Sequence, residues 1–259
     1  MCFSSYSDGQ QPGSLISEEQ IKARIEIIKP YTKWVRTFSC TDGNELIPEI
    51  AKANGLKVMV GAWLSENKKL NEIEIENLIK VAKAGNADMV AVGNEVLYRE
   101  ELSEEELLDY IYRVKEQLPG IDVGYVDAYY EFGNRPAIAD ACDVIFANCY
   151  PFWEGCHIDY SLLYMKNMYH SALSAGKGKK VIISETGWPN RGSNFEGSEP
   201  SFENALRYFI NTQKWSKEEN IEVMYFSSFD ELWKVGDEGD VGAYWGIWDK
   251  DGNPKYSEM

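Results

Sequence analysis

The sequence predicts an α/β fold of the TIM-barrel type, a (β/α)₈ barrel. Short apolar runs of strand length alternate with helical segments through the 259 residues, and eight such runs are present. Alternating strands and helices predict parallel βα units. Eight units in about 250 residues favour a closed barrel over a doubly wound open sheet. No linker, low-complexity tract or internal repeat interrupts the pattern. We therefore expect residues 1–259 to form a single catalytic domain.

The predicted strands are short runs rich in β-branched and aromatic residues. A weaker candidate, residues 2–6, opens the chain. The other seven cover residues 34–38, 56–60, 89–92, 121–126, 144–147, 181–184 and 221–226.

Two of the predicted helices begin at capping boxes. Ser17 is followed three residues later by Gln20, and Ser103 by Glu106. Behind each box, apolar residues recur at spacings of three and four, which is typical of a helix with one buried face. Further helices are predicted over residues 45–54, 70–84, 160–175 and 201–219, with a short one over residues 135–141.

Composition excludes several classes of partner. The formal net charge of −16 repels polyphosphates and anionic lipids, so we expect neither nucleic-acid binding nor membrane association. No apolar run reaches the length of a membrane span. The 8 Trp and 16 Tyr supply flat apolar faces of the kind that a groove for a neutral sugar polymer uses. We also expect a monomer.

The cysteines and the missing motifs narrow the chemistry. The five cysteines form no CxxC or Cys/His ligand pattern, so we expect free thiols, no metal site and no cofactor. The chain as written has no signal peptide, which predicts a cytoplasmic protein, or a secreted or periplasmic one if such a segment has been removed. Neither the GxSxG motif of serine hydrolases nor a GxGxxG motif after a strand is present.

Two glutamates end predicted strands at one rim of the barrel, where the active site of this fold lies. Glu95 belongs to segment 92–96, Val-Gly-Asn-Glu-Val, and Glu185 to segment 183–189, Ile-Ser-Glu-Thr-Gly-Trp-Pro. Glycosidic cleavage needs two carboxyl groups beside the anomeric carbon, one to protonate the leaving oxygen and one to attack or to activate water. We therefore predict a catalytic pair rather than two unrelated loop residues.

These two segments resemble the signatures of glycoside hydrolase family 17, a family of retaining (β/α)₈ glycosidases. Further matching segments lie at residues 34–40, 148–152, 229–234, 244–248 and 255–256. The resemblance implies a β-1,3-glucan substrate, net retention of anomeric configuration and no cofactor. Some members of the family transfer glucan chains rather than hydrolyse them.

The resemblance also implies roles for individual residues. Glu95 becomes the acid/base, Glu185 the nucleophile, and Asn94 the ligand of the sugar 2-hydroxyl. Glu231 and Lys234 are implied to form a charged pair beside Glu185. We expect the remaining substrate contacts from the matching segments and the predicted rim: Arg36, Asp127, Tyr129, Tyr150, Phe152, Trp188, Phe229 and Trp233.

The leading interpretation is a retaining glycoside hydrolase that cleaves β-1,3-glucosidic bonds of laminarin-type β-glucan by double displacement. Three alternatives remain: a β-1,3-glucan transglycosylase, a related glycosidase with another β-linkage, and a catalytically silent glucan-binding protein. The two intact glutamates speak against the last. Phe3 stands where the family often has a Tyr, and the loops are short, so the choice between endo and exo action stays open.

Overall fold

The computed structural model describes residues 1–236 and 238–256. In this part of the chain, seven parallel strands form a sheet whose strand order equals the sequence order, curled into a nearly closed barrel. The strands are β1 (Trp34–Arg36), β2 (Lys57–Ala62), β3 (Met89–Asn94), β4 (Asp122–Ala128), β5 (Val144–Asn148), β6 (Lys180–Thr186) and β7 (Val223–Tyr225). The predicted TIM-barrel fold is confirmed.

The first residues of the chain close the barrel between β7 and β1. The backbone N–H of Cys2 donates to the Tyr225 carbonyl at 2.9 Å, and that of Phe3 donates to the Arg36 carbonyl at 2.9 Å. Cys2 forms only an isolated parallel bridge with Arg36. The strand predicted over residues 2–6 is therefore wrong in extent. One reason is that the carbonyl of Ser5 accepts a hydrogen bond from a side chain of the first helix instead of from a strand.

The described residues contain eight α-helices. They are α1 (Glu18–Ile28), α2 (Ile47–Ala53), α3 (Lys68–Lys83), α4 (Glu104–Gln117), α5 (Glu131–Asn134), α6 (Pro136–Ala141), α7 (Ser161–Ala175) and α8 (Phe202–Glu219). The sequence did not predict α5. The capping box at Ser103 is complete, whereas Ser17 caps α1 from one side only. None of the helices in residues 1–236 and 238–256 is long and apolar enough to cross a membrane.

The core lies inside the barrel and between the barrel and its helices. All six residues of β3 and all five of β5 are buried, because the strands of a parallel barrel are covered on both faces. This double coverage explains why the strands read as continuous apolar runs in the sequence. The five cysteines are unpaired, and four of them are buried.

Candidate active site

Glu95 and Glu185 lie at the carboxyl ends of β3 and β6, on the same rim of the barrel. Glu95 directly follows β3 and adopts a left-handed backbone conformation, with φ of 52°. Its backbone N–H donates to the Val126 carbonyl on β4 at 2.8 Å. A non-glycine residue in this region costs about 1–3 kcal/mol and persists only where its surroundings fix it, which is typical of functional sites.

Asn148, at the end of β5, joins the two glutamates. Its Nδ2 donates to Glu95 Oε1 at 2.8 Å and lies 3.2 Å from Glu185 Oε1. The amide is oriented by the Ser184 hydroxyl, which donates to Asn148 Oδ1 at 2.8 Å. Because both carboxylate oxygens contact one nitrogen, they cannot be more than about 6 Å apart, the sum of the two contacts.

Two side chains, Arg36 and Tyr150, donate hydrogen bonds to the carboxyl group of Glu185. Arg36 Nη1 donates to Glu185 Oε1 at 2.5 Å, and the Tyr150 hydroxyl donates to Glu185 Oε2 at 2.7 Å. Arg36 Nη2 donates to Asn94 Oδ1 at 2.6 Å. Arg36 is 1% exposed, so it contacts Glu185 and Asn94 rather than the solvent. Because one donor binds each carboxyl oxygen, these contacts hold the Glu185 side chain in one orientation.

The electrostatic surroundings of Glu95 differ from those of Glu185. Burial, followed by the negative charges of Glu185 and Asp127, raises the pKa of Glu95 to about 7. The hydrogen bond from Asn148 and the positive charge of Arg99 act in the opposite direction. A carboxyl group with such a pKa holds its proton near neutral pH and can also release it, as a general acid/base must.

A cleft of about 410 Å³ opens above the two glutamates, a volume in the range of small-molecule sites. Its walls combine aromatic rings with carboxylates. The lining residues are Glu95, Tyr98, Ala128, Tyr129, Tyr130, Asn148, Tyr150, Trp153, Glu154, Glu185, Phe226, Glu238 and Trp245. Aromatic faces can cover the C–H groups of a sugar, while the polar tips bind its hydroxyls.

Of the predicted substrate contacts, Tyr129 and Tyr150 line this cleft. Phe152, Trp188 and Phe229 do not, since they are 0%, 1% and 2% exposed. The ring centroids of Phe152 and Trp188 are 5.2 Å apart, and Phe229 packs beneath a guanidinium group. These aromatic residues, predicted as sugar platforms, are packed against other protein groups and do not line the cleft.

Arg36 and Asp127, also predicted to contact substrate, do not line the cleft. Both side chains are buried, at 1% and 0% exposure, and they bind protein groups beneath the cleft. Asn94 is largely buried as well, with its Oδ1 bound by Arg36. These residues lie at the predicted rim, but strand position alone does not give the direction of a side chain.

Glu231 and Lys234 form the expected ion pair, with Nζ and Oε2 2.8 Å apart. Burial disfavours the charged amine, but Glu231 and Glu238 outweigh it and raise the pKa of Lys234. The cation in direct contact with Glu185 is Arg36, not Lys234. Trp233 Nε1 donates to Glu231 Oε1 at 3.2 Å. Neither Trp233 nor Glu231 lines the cleft above the two catalytic glutamates.

Several residues of the site were not selected from the sequence. Asn148, Tyr98 and Glu154 are among them. Asn148 is the last residue of β5, and Glu95 directly follows β3. The expectation that the active site lies at the carboxyl ends of the strands could therefore have identified Asn148. Tyr98 and Glu154 lie in loops, for which the strand pattern gives no orientation. Within residues 1–236 and 238–256, no group of three or more His, Cys, Asp or Glu side chains is arranged to hold a metal ion.

Comparison with known proteins extends over nearly the whole chain. The BtgE/BtgC glycoside hydrolase domain family matches residues 1–246. The chain is 29% identical to the glucan 1,3-beta-glucosidase BGL2 of Candida albicans, over 90% of this chain and 84% of that protein. It is 28% identical to a glucan 1,3-beta-glucosidase of Saccharomyces cerevisiae, over 95% of this chain and 86% of that protein.

A solved structure shares both the fold and part of the sequence. The crystal structure of a glycoside hydrolase family 17 beta-1,3-glucanosyltransferase from Rhizomucor miehei superposes with a TM-score of 0.87 at 33% identity. The match covers 96% of this chain and 93% of that chain. The chain therefore belongs to the BtgE/BtgC glycoside hydrolase domain family, which is of the glycoside hydrolase family 17 type.

Proposed function

We propose that this chain is a retaining glycoside hydrolase that cleaves β-1,3-glucosidic bonds in laminarin-type β-glucan. The observation that supports the reaction type best is the contact of one Asn148 nitrogen with both glutamates. It limits their oxygens to about 6 Å apart, which suits the roughly 5–5.5 Å of retaining enzymes better than the roughly 6.5–9.5 Å of inverting ones.

The first chemical step uses both glutamates. Glu185 attacks the anomeric carbon of the donor glucosyl unit, and the bond from that carbon to the leaving sugar breaks as Glu95 transfers its proton to the leaving oxygen. Arg36 and Tyr150 hold Glu185 in the attacking orientation. The pKa of Glu95, raised to about 7, keeps the proton available in mildly acidic to neutral solution.

The second step reverses the role of Glu95. Now ionised, it takes a proton from water, and the water oxygen bonds to the anomeric carbon while the bond to Glu185 breaks. The sugar is released with its original β configuration. In the covalent intermediate between the two steps, Glu185 is esterified and no longer charged. The loss of that neighbouring charge lowers the pKa of Glu95, since Glu185 is one of the groups that raise it.

The substrate assignment follows from the relatives. Two of them are named glucan 1,3-beta-glucosidases, and an active-site mutant of the Rhizomucor miehei enzyme was solved in complex with laminaritriose. An uncharged glucan is also compatible with a cleft lined by aromatic rings and four glutamates.

The test is a linkage panel. Purified chain should release reducing sugar from laminarin and much less from cellulose, with the Glu185→Gln variant as the inactive control. Faster cleavage of cellulose would overturn the β-1,3 assignment. Laminarin cleavage unaffected by Glu185→Gln would overturn the assigned nucleophile.

Glucan transfer is a second candidate, favoured by the 33% identity to a glucanosyltransferase over 96% of this chain. In that case, a hydroxyl group of a second glucan chain takes the place of water in the second step. Product analysis from a single laminari-oligosaccharide separates the two reactions. Hydrolysis gives only shorter products, whereas transfer also gives longer ones.

A further inference from the structure

A buried polar pair lies beneath the segment that contains Glu95. Tyr125 and Asp127 are two residues apart on β4, so their side chains point to the same face of the sheet. Both are 0% exposed. The Tyr125 hydroxyl donates to Asp127 Oδ2. Asp127 Oδ1 accepts from the Ala128 N–H at 2.7 Å, and the Tyr98 backbone also donates to this carboxyl group. Burial raises the pKa of Asp127, and the hydrogen bonds from these donors act in the opposite direction.

Tyr125 contacts the acid/base segment on both sides of Glu95. Its hydroxyl accepts a hydrogen bond from the Leu97 N–H at 2.9 Å. Its ring lies so close to Gly93 that a Cβ atom there would approach it to 3.3 Å, and Gly93 itself has φ of 88°. Tyr125 thus fixes the backbone two residues before and two residues after Glu95.

Arg99 holds the same segment from the opposite direction. Its Nη1 donates to the Asn94 carbonyl at 2.6 Å, and its Nη2 donates to the Leu64 carbonyl at 3.2 Å. The guanidinium also lies 4.5 Å from the centroid of the Trp63 ring. The segment is therefore held between a buried anion on the β4 side and a cation on the β2 side.

We propose that Tyr125 and Asp127 are positioning residues, which hold Glu95 in its left-handed conformation facing Glu185, with Arg99 as their oppositely charged counterpart. The proposal rests on the proposed function, in which Glu95 is the acid/base. Neither Tyr125 nor Asp127 lines the cleft, so both act through the backbone of the segment and through charge.

The charges predict opposite effects on Glu95. Asp127 raises its pKa and Arg99 lowers it. Glu185 from β6 and the phenols of Tyr125, Tyr130 and Tyr150 also interact electrostatically with Glu95. Arg135 interacts with Asp127, and Glu101 forms an ion pair with Arg99 at 2.7 Å. Removal of the Asp127 charge should therefore lower the titration midpoint of Glu95, and removal of the Arg99 charge should raise it. The titration therefore tests the two charges, whereas the turnover of Tyr125→Phe, which keeps both charges, tests the positioning role.

The first experiment titrates Glu95 directly. In protein labelled with ¹³C at the glutamate carboxyl carbon, the Glu95 signal is identified by its loss in Glu95→Gln. We expect a lower midpoint in Asp127→Asn and a higher one in Arg99→Gln. The matched control is Asp143→Asn, an acid-to-amide change just before β5 at the other end of the barrel, where Asp143 binds Lys115 at 2.6 Å. It should leave the Glu95 midpoint unchanged.

The second experiment measures turnover. Tyr125→Phe keeps the ring and removes only the hydroxyl, so we expect kcat on laminarin to fall by about 10- to 100-fold, as misplacement of a catalytic group does, with KM nearly unchanged. Asp127→Asn should also lower kcat with little change in KM. This variant replaces Tyr125→Phe in the test if Tyr125→Phe does not fold. Asp143→Asn should keep the native kcat.

Shifts of the same sign in Asp127→Asn and Arg99→Gln, or native kcat in both β4 variants, would overturn the proposal. Failure of the proposed function looks different. The native chain would then not turn over laminarin at all, while the Glu95 titration would still test the charges of Asp127 and Arg99, because it requires no substrate.

Discussion

Replacing Glu95 by Gln should change how the stability of the fold depends on pH. In the folded chain the pKa of Glu95 is raised from 4.5 to about 7, so the folded state keeps a proton that the unfolded state releases. The contribution of this group to stability is therefore fully present below about pH 4.5 and is lost as the pH rises through about 7. Gln has no proton to lose, so the variant lacks this dependence.

The size of the effect follows from the two pKa values. One pKa unit corresponds to about 1.4 kcal/mol, so their difference sets an upper limit of about 3.5 kcal/mol. Because part of Glu95 faces the solvent-filled cleft, we expect about 2–3 kcal/mol. For a domain of this size, that corresponds to roughly 4–12 °C in Tm.

Urea unfolding at pH 4.5 and pH 8 measures the difference. The free energy of unfolding of Glu95→Gln, taken relative to that of the native chain, should rise by this amount between the two pH values. Glu185→Gln should show a smaller native-type dependence, since the Glu185 charge is one cause of the raised pKa. An equal pH dependence in the native chain and Glu95→Gln would refute the reasoning.

Three further predictions follow from the same site. Arg36→Met leaves Glu185 buried without its cation and should lower the free energy of unfolding by about 3–5 kcal/mol in urea titrations, whereas Lys22→Met in the exposed pair with Glu18 should leave the unfolding midpoint unchanged. Gly93→Ala must place a Cβ at positive φ, 3.3 Å from a buried ring, and should reduce Tm and laminarin turnover together; an unchanged Tm would contradict this. Exhaustive treatment with EDTA should leave the rate of reducing-sugar release unchanged, since double displacement by two carboxyl groups uses no metal ion and residues 1–236 and 238–256 contain no cluster of three or more His, Cys, Asp or Glu side chains that could hold one. A loss restored only by a divalent ion would contradict this.

The strands and most helices could be predicted because their patterns are local. The seven runs between residues 34 and 226 appear as β1–β7, and the capping box at Ser103 begins α4 as expected. The length of the strand predicted over residues 2–6 was overestimated, because apolar composition does not show whether a strand partner is present. Of residues 2–6, only Cys2 and Phe3 donate backbone hydrogen bonds to β7 and β1.

The two glutamates could be predicted because strand ends in a parallel barrel share one rim. Tyr129 and Tyr150 were also predicted and line the cleft, but several other residues were misplaced, because the sequence does not show whether a side chain points into the cleft or beneath it. Arg36 and Asp127 were expected to contact substrate but lie under the cleft, at 1% and 0% exposure. Phe152 was expected to bind sugar but packs against other rings.

The central claim is that Glu95 and Glu185 act by double displacement, and the configuration of the first product tests it most directly. Proton NMR of a laminari-oligosaccharide digest, recorded before mutarotation, distinguishes the two anomers at the newly formed reducing end. The spacing imposed by the shared contact with Asn148 predicts that the β anomer appears first and the α anomer grows in only by mutarotation. First appearance of the α anomer would contradict the account, because Glu185 would then have to activate water rather than attack the sugar.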